Sequence, residues 1–298
     1  MYPAPFHYHR AESLEGAISL LAELGDSARA LAGGQTLLVW MKLRFDEPQH
    51  LVDVSRIPGL SEIRQQAGDE VCIGALATHA EIARSAIAEA LPNVLDCGSG
   101  IADAQIRSRG TIGGALGSAD PSCDWPTLLH TFDAVLTCTG PEGTRTIPVS
   151  ELVEDIYTTI LKPAELITEI RFKIPPENSG GAYCGFKRCA PAYPTASAGV
   201  QLTLEDDICS AIRIALGSAG LTTITSQEAE AVLQGNPLTE ANIDKATEAI
   251  VAAADPVPDQ RGSEDFKRAV LRTLVKRAID IAGRRCHGEI IKGHHEYV

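Results

Sequence analysis

Two glycine doublets constrain this chain more than any other feature. The first lies in Leu31-Ala32-Gly33-Gly34-Gln35-Thr36-Leu37, directly after the apolar run that starts at Ala28. The second lies in Thr111-Ile112-Gly113-Gly114-Ala115. Glycine has no Cβ, so the backbone at a doublet can take unusual dihedrals and come close to a ligand. Turns of this kind present N–H groups to anions, and a neighbouring hydroxyl adds a further donor. Either doublet alone is consistent with a plain tight turn. Two in one chain point to a dinucleotide, which has two phosphates to hold.

At 298 residues the chain is long enough for two or three subdomains with cores of their own. Its formal net charge of −13 argues against nucleic acid as a partner, because phosphate-backbone binding needs a basic footprint. No apolar run reaches the length of a membrane span. Met1-Tyr2-Pro3-Ala4-Pro5-Phe6-His7 has no basic region followed by an apolar stretch, so no secretory signal is read and a cytoplasmic location is expected. The cysteines are scattered. Cys184 and Cys189 match the opening of a plant-type iron–sulfur pattern, but the following Cys-x-x-Cys is missing, and no cluster is expected in this chain.

Hydrophobic spacing predicts a helix over Ser13–Leu24, capped by Ser13 and stopped by Gly25. A strand over Ala28–Ala32 leads into the first doublet, and Leu37–Leu43 follows as a short helix. Leu51–Val54 and Val71–Gly74 read as strands. Thr78-x-x-Glu81 is a capping box that opens a helix. Further helices are expected over Asn93–Ala102 and from Asp124 through Thr131, and a strand over Ala134–Cys138. The run Pro175–Gly181 is the best linker. Beyond it, Ser197–Leu204 and Ser210–Leu216 form a hairpin across Glu205-Asp206-Asp207, and two helices start at Thr239 and Ser263. His287–Val298 is unpatterned and reads as a mobile tail or a docking arm.

Few side chains single themselves out for chemistry. Lys42 and Arg44 either balance phosphate charge or stand in solvent. Asp124 either accepts from a ribose hydroxyl or caps its helix. Lys187 offers a cation that can meet an electron-rich ring. His287, His294 and His295 fit a histidine-bearing tail better than a metal site. No Gly-x-Ser-x-Gly, His-Glu-x-x-His or P-loop is present.

Leu31-Ala32-Gly33-Gly34-Gln35-Thr36-Leu37-Leu38 with Met41-Lys42-Leu43-Arg44 resembles the first FAD loop of the medium subunit of molybdenum hydroxylases, a family that includes xanthine dehydrogenase and carbon monoxide dehydrogenase medium subunits. Ile101-Ala102-Asp103-Ala104-Gln105-Ile106-Arg107-Ser108-Arg109-Gly110-Thr111-Ile112-Gly113-Gly114 resembles the second loop, and Ala119-Asp120-Pro121-Ser122-Cys123-Asp124-Trp125-Pro126 its continuation. The likeness runs from Phe6 to the last helix. It implies an α+β chain with a vanillyl-alcohol-oxidase-type FAD-binding fold of two α/β subdomains. A C-terminal subdomain with a three-stranded antiparallel sheet and helices completes it. The implied divisions are 1–55, 56–177 and 178–286, with a polar tail over 287–298.

By the same resemblance, Ala32, Gly33, Gly34, Gln35, Thr36 and Leu37, with Thr111, Gly113, Gly114 and Ala115, hold the FAD pyrophosphate, with Thr36 and Thr111 as donors. Ile101 and Ala102 lie near the adenosine half, and Asp124 fixes the cofactor. Ile167 packs on the flavin ring, Lys187 is the motif lysine of the C-terminal subdomain, and Tyr193 shields the ring. The family usually has Asn or Ser where Ala115 stands, so one side-chain hydrogen bond to the cofactor is lost. Carbon monoxide dehydrogenases usually read Gly-Gly-His-Ser in the first loop. Gln35-Thr36 here favours an N-heterocycle or aldehyde over carbon monoxide as substrate. The implied function is electron transfer: a large molybdopterin partner oxidises the substrate, a small partner with [2Fe-2S] clusters relays electrons, and FAD in this chain passes them to an acceptor. A dimer of such heterotrimers is implied. The alternative is a self-sufficient FAD-dependent reductase or oxidase of the same superfamily.

Overall fold

A computed structural model describes residues 2–189 and 191–293. The first subdomain is built from β1 (His7–Arg10), α1 (Leu14–Leu24), β2 (Ala28–Leu31), α2 (Leu37–Leu43) and β3 (His50–Asp53). Its strands pair in the order β1-β3-β2, all parallel. Helix α1 forms where the spacing predicts. The Ser13 hydroxyl accepts from the Gly16 N–H, Gly25 ends the helix at φ 55°, and Ala17, Ile18 and Leu21 are buried. These three side chains turn α1 onto the parallel sheet and leave the carboxyl ends of the strands open. In such sheets that is where ligands bind.

The central subdomain opens with β4 (Ile63–Gln66) and β5 (Glu70–Gly74). Six helices follow: α3 (His79–Ala83), α4 (Ala86–Ala90), α5 (Pro92–Gly100), α6 (Ala104–Arg107), α7 (Ile112–Ser118) and α8 (Asp124–His130). It closes with β6 (Val135–Gly140), β7 (Gly143–Pro148), α9 (Val149–Leu152), β8 (Val153–Asp155), β9 (Thr158–Thr159) and β10 (Leu166–Lys173). Five of its strands form an antiparallel sheet ordered β4-β5-β10-β6-β7. Its helices pack over a core that includes Ile73, Ile112, Leu116, Trp125, Leu128 and Leu136. The capping box is present in full: Thr78 accepts from the Glu81 N–H, and Glu81 accepts from the Thr78 N–H.

The last subdomain comprises β11 (Ser179–Phe186), β12 (Ala196–Glu205), β13 (Ile208–Gly217), β14 (Ile224–Thr225), α10 (Gln227–Leu233), α11 (Glu240–Ala253) and α12 (Glu264–Cys286). The β12–β13 hairpin turns on Asp206 and Asp207, both at positive φ, a backbone that Asp tolerates better than most residues. Leu271, Val275, Ala278 and Ala282 of α12 lie in one core with Val200 and Leu202 of β12.

Four expectations need correction. The C-terminal sheet has a fourth strand, the two-residue β14, beside the three expected. The linker is shorter than expected, because Ser179–Gly181 pair with β12 as the start of β11. Helix α5 ends at Gly100 because Ile101 is extended and Ala102 turns at φ 41°. Asp124 is the first helical residue of α8 rather than its cap, and Cys123 occupies the cap position without a side-chain bond.

Of the terminal segment, residues 287–293 form a docking arm, while His294 and His295 lie outside the described residues. The arm is fixed by a buried pair. Arg285 donates to Asp96 at 2.7 Å, and the two side chains are only 5% and 1% exposed. Arg285 also donates to the carbonyls of Gly181 and Ile291, and the Gly293 N–H donates to Asp96. This one pair ties α5, β11, α12 and the arm together. Arg285→Met removes the bidentate guanidinium from the buried Asp96 carboxylate and frees the Gly181 and Ile291 carbonyls, and a buried pair broken in this way costs up to about 3–5 kcal/mol. We expect a lowered urea midpoint and faster proteolysis after His287.

Candidate functional site

The three subdomains meet around one cavity of ≈ 660 Å³. This volume lies within the range of about 300–1,000 Å³ typical of small-molecule and cofactor sites. All the residues expected at the cofactor line it except Lys187. The first wall is the loop after β2. Among the described residues, the amide N–H groups of Gly33, Gly34, Gln35, Thr36 and Leu37 donate to no group of the chain. Five successive free donors at the carboxyl end of a parallel strand form a nest for anionic oxygens. Gly34 turns the chain at φ 72°. Thr36 precedes α2 without capping it.

The second wall behaves differently. The Gly113 N–H is taken by the Ala75 carbonyl at 2.8 Å, and the Gly114 N–H by the Thr111 hydroxyl at 3.2 Å. The two glycines here give shape, and donation falls to the Thr111 hydroxyl proton, which the Gly114 contact leaves free. Ala115 has no polar side chain, and its carbonyl accepts from Ser118 at 2.7 Å. The turn at Ile101 and Ala102 is held by Arg107, which donates to both carbonyls. Gly117 lines the cavity, and a Cβ added there meets nothing within 4 Å.

Asp124 sits in the wall at 4% exposure. Its Oδ1 accepts from the Tyr183 hydroxyl at 2.8 Å and stands 3.6 Å from Lys187 Nζ. Lys187, a cation able to meet an electron-rich ring, is enclosed behind the lining, where it also donates to the Gly100 carbonyl at 2.7 Å. It neutralises Asp124 from behind and leaves Oδ2 for a ligand hydroxyl. Lys42 and Arg44 do not line the cavity, and Arg44 faces Glu47 on the surface.

Ile167 lines the cavity at the point where β10 shifts register against β6. Tyr193 also lines the cavity. The residue is 43% exposed, yet its hydroxyl end lies against Thr36 and Cys123, and desolvation there pushes the phenol pKa well up. Burial also pushes the Cys123 thiol up to about 12.

Sequence reasoning missed four aromatic or imidazole rings in the lining: Trp40, His79, Trp125 and Tyr157. Trp125 Nε1 donates to His79 Nδ1 at 2.9 Å. That bond fixes the tautomer of a neutral imidazole with its proton on Nε2. Burial, with Arg107 nearby, lowers the His79 pKa to about 4. The capping box at Thr78 marked the start of this helix, but nothing in its spacing told that His79 would face a cavity.

Two families match the chain in tandem. The FAD binding domain in molybdopterin dehydrogenase covers residues 4–176, and the CO dehydrogenase flavoprotein C-terminal domain covers residues 181–282. The chain belongs to the FAD-binding medium-subunit family of molybdenum hydroxylases. It is 38% identical to the carbon monoxide dehydrogenase medium chain of Afipia carboxidovorans, over 96% of this chain and 99% of that one. It is also 38% identical to the 6-hydroxypseudooxynicotine dehydrogenase complex subunit alpha of Paenarthrobacter nicotinovorans, over 94% and 95%. Carbon monoxide dehydrogenase from Hydrogenophaga pseudoflava superposes with a TM-score of 0.94 at 39% identity, covering 96% of this chain and 100% of that one. This medium subunit is therefore a flavoprotein of an oxidoreductase family, and its cofactor is FAD. The nest of free amides, the Thr111 hydroxyl and the open face at Gly117 fit that dinucleotide. No helix of the described residues is long and apolar enough to cross a membrane.

A side chain at Gly117 fills open cavity, so Gly117→Val retains the wild-type far-UV spectrum and melting midpoint of the cofactor-free protein but loses FAD. A Cβ at Gly33 would stand 2.1 Å from the Arg109 carbonyl oxygen, so Gly33→Val loses FAD and stability together. Flavin absorbance per chain and thermal melts separate the two outcomes.

The depressed His79 pKa works against folding in acid. The unfolded chain takes up a proton near pH 6.5 and the folded chain only near 4, so the stability is present above about 6.5 and is lost as pH falls towards 4. Between pH 7 and pH 5 this site alone costs about 2 kcal/mol. His79→Gln removes that component. The expected readout is a smaller drop in urea midpoint over this interval than in the wild type.

Proposed function

We propose that this chain is the electron-transfer subunit of a three-component molybdenum hydroxylase. A small partner with [2Fe-2S] clusters delivers electrons, a large molybdopterin partner oxidises the substrate, and two such heterotrimers pair in the cytoplasm. The observation that carries this reading is the content of the cavity wall. It has an anion nest, a dinucleotide-sized volume and an aromatic side chain, Tyr193, in its lining. When bound, FAD supplies the capacity to take up and release electrons, and the protein supplies binding and orientation. The Gly33–Leu37 amides hold the pyrophosphate, Asp124 accepts from a hydroxyl, and Ile167 and Tyr193 exclude water from the ring.

The substrate class we infer is an N-heterocycle or an aldehyde. Its support is Gln35-Thr36 in the first loop and the likeness to the 6-hydroxypseudooxynicotine dehydrogenase subunit. Carbon monoxide dehydrogenase chains stand at the same identity, so carbon monoxide belongs in the same substrate panel. Dithionite should reduce the FAD of the isolated chain, and no organic substrate should bleach it. Adding both partners should restore bleaching by an N-heterocycle or aldehyde. Bleaching of the isolated chain by a substrate overturns the electron-transfer reading in favour of a self-sufficient enzyme. Turnover of carbon monoxide alone by the full assembly overturns the substrate class.

A further inference from the structure

The β8–β9 hairpin carries a backbone feature that its own pairing does not require. Tyr157, in its turn, stands at φ 56°, in the left-handed region. Glycine and asparagine are the usual occupants there, and a bulky side chain is an outlier. The turn is held from outside, because the Tyr157 N–H donates to the Ala119 carbonyl at 2.9 Å. The conformation projects the ring onto Trp40 in an edge-on contact, with centroids 5.2 Å apart and planes at 85°.

The two rings come from different subdomains. Trp40 lies on α2, just past the nest of free amides, and Tyr157 lies on the central subdomain. Both line the cavity, and Tyr157 is 51% exposed, which sets the pair at the solvent rim. Neither ring belongs to any of the three packed cores. Strained backbone of this kind persists where the surroundings impose it, commonly at ligand clamps.

We propose that Trp40 and Tyr157 form a latch across the seam between the two subdomains, and that this ring pair must part for FAD to enter or leave. The inference rests on FAD occupying the cavity. An edge-to-face pair contributes enough beyond simple burial to change a rate by about tenfold.

The test is FAD release from the full-length, FAD-loaded protein, followed by flavin fluorescence after dilution. Trp40→Ala and Tyr157→Ala should each speed release about tenfold, and the double variant no further, because each removes the same contact. Tyr157→Phe should keep the wild-type rate. Tyr157→Gly should release as fast as Tyr157→Ala although its backbone is relaxed. Its cofactor-free melting midpoint should not fall, whereas a purely structural role would lower it. Wild-type release from both alanine variants, or effects that multiply in the double variant, overturns the latch. A wild-type protein that retains no FAD overturns the reading of the cavity instead.

Discussion

A Cβ on Gly33 would meet the Arg109 carbonyl oxygen at 2.1 Å and the Gly110 Cα at 3.0 Å, and the whole site depends on this close approach of two backbones. It brings the loop after β2, from one subdomain, against the loop before α7, from the other. Only glycine allows two main chains to pass at that distance. Because the loops touch, the five free amides and the Thr111 hydroxyl address the same volume. The chain thus uses its two doublets for different ends. In the first, Gly33 permits the contact and its neighbours donate. In the second, the Gly113 and Gly114 donors are consumed internally and fix the shape of the wall.

The electrostatics follow from this arrangement. A chain of net charge −13 has to hold a pyrophosphate, yet Arg29 is the one Lys or Arg in the lining among the described residues, and Asp46 pairs with it at 3.0 Å. The other charges of the wall are also compensated inside the chain: Glu165 by Arg145 at 2.7 Å, and Asp124 by Lys187. Amide dipoles are left to carry the anion. Fixed dipoles need no counter-ion and no side-chain ordering when the ligand binds, whereas each long cationic side chain immobilised costs about 0.5–1.5 kcal/mol.

Much of the fold was legible because the long elements repeat their pattern often enough to declare it. Helices α1, α11 and α12, the β12–β13 hairpin and the Thr78–Glu81 capping box follow from spacing and caps alone. Short elements with neither a β-branched apolar run nor a capping box to mark them, such as α4, α6, α9, β9 and β14, complete too few periods to be read. The site divides along the same line. The loop residues were legible because their identity is dictated locally, by backbone conformation and donor chemistry. The direction of Lys187 was not legible, because it is set by Asp124 and the Gly100 carbonyl, both distant in sequence. Trp40 and Tyr157 were invisible for the same reason: their meeting is a product of two subdomains closing on each other.

Three titratable groups of the cavity share one property. Burial keeps His79 neutral down to about pH 4 and holds the Cys123 thiol protonated up to about 12, while the Tyr193 phenol is pushed well above its ordinary range. None of these three changes charge near neutrality. A wall whose charges are paired and in which these three groups stay in one form presents a nearly constant field to whatever it encloses. For a flavoprotein this constancy is useful, since the free energy of reduction then does not wander with the protonation of these side chains. None of these three side chains is therefore a proton donor or base tuned to neutral pH.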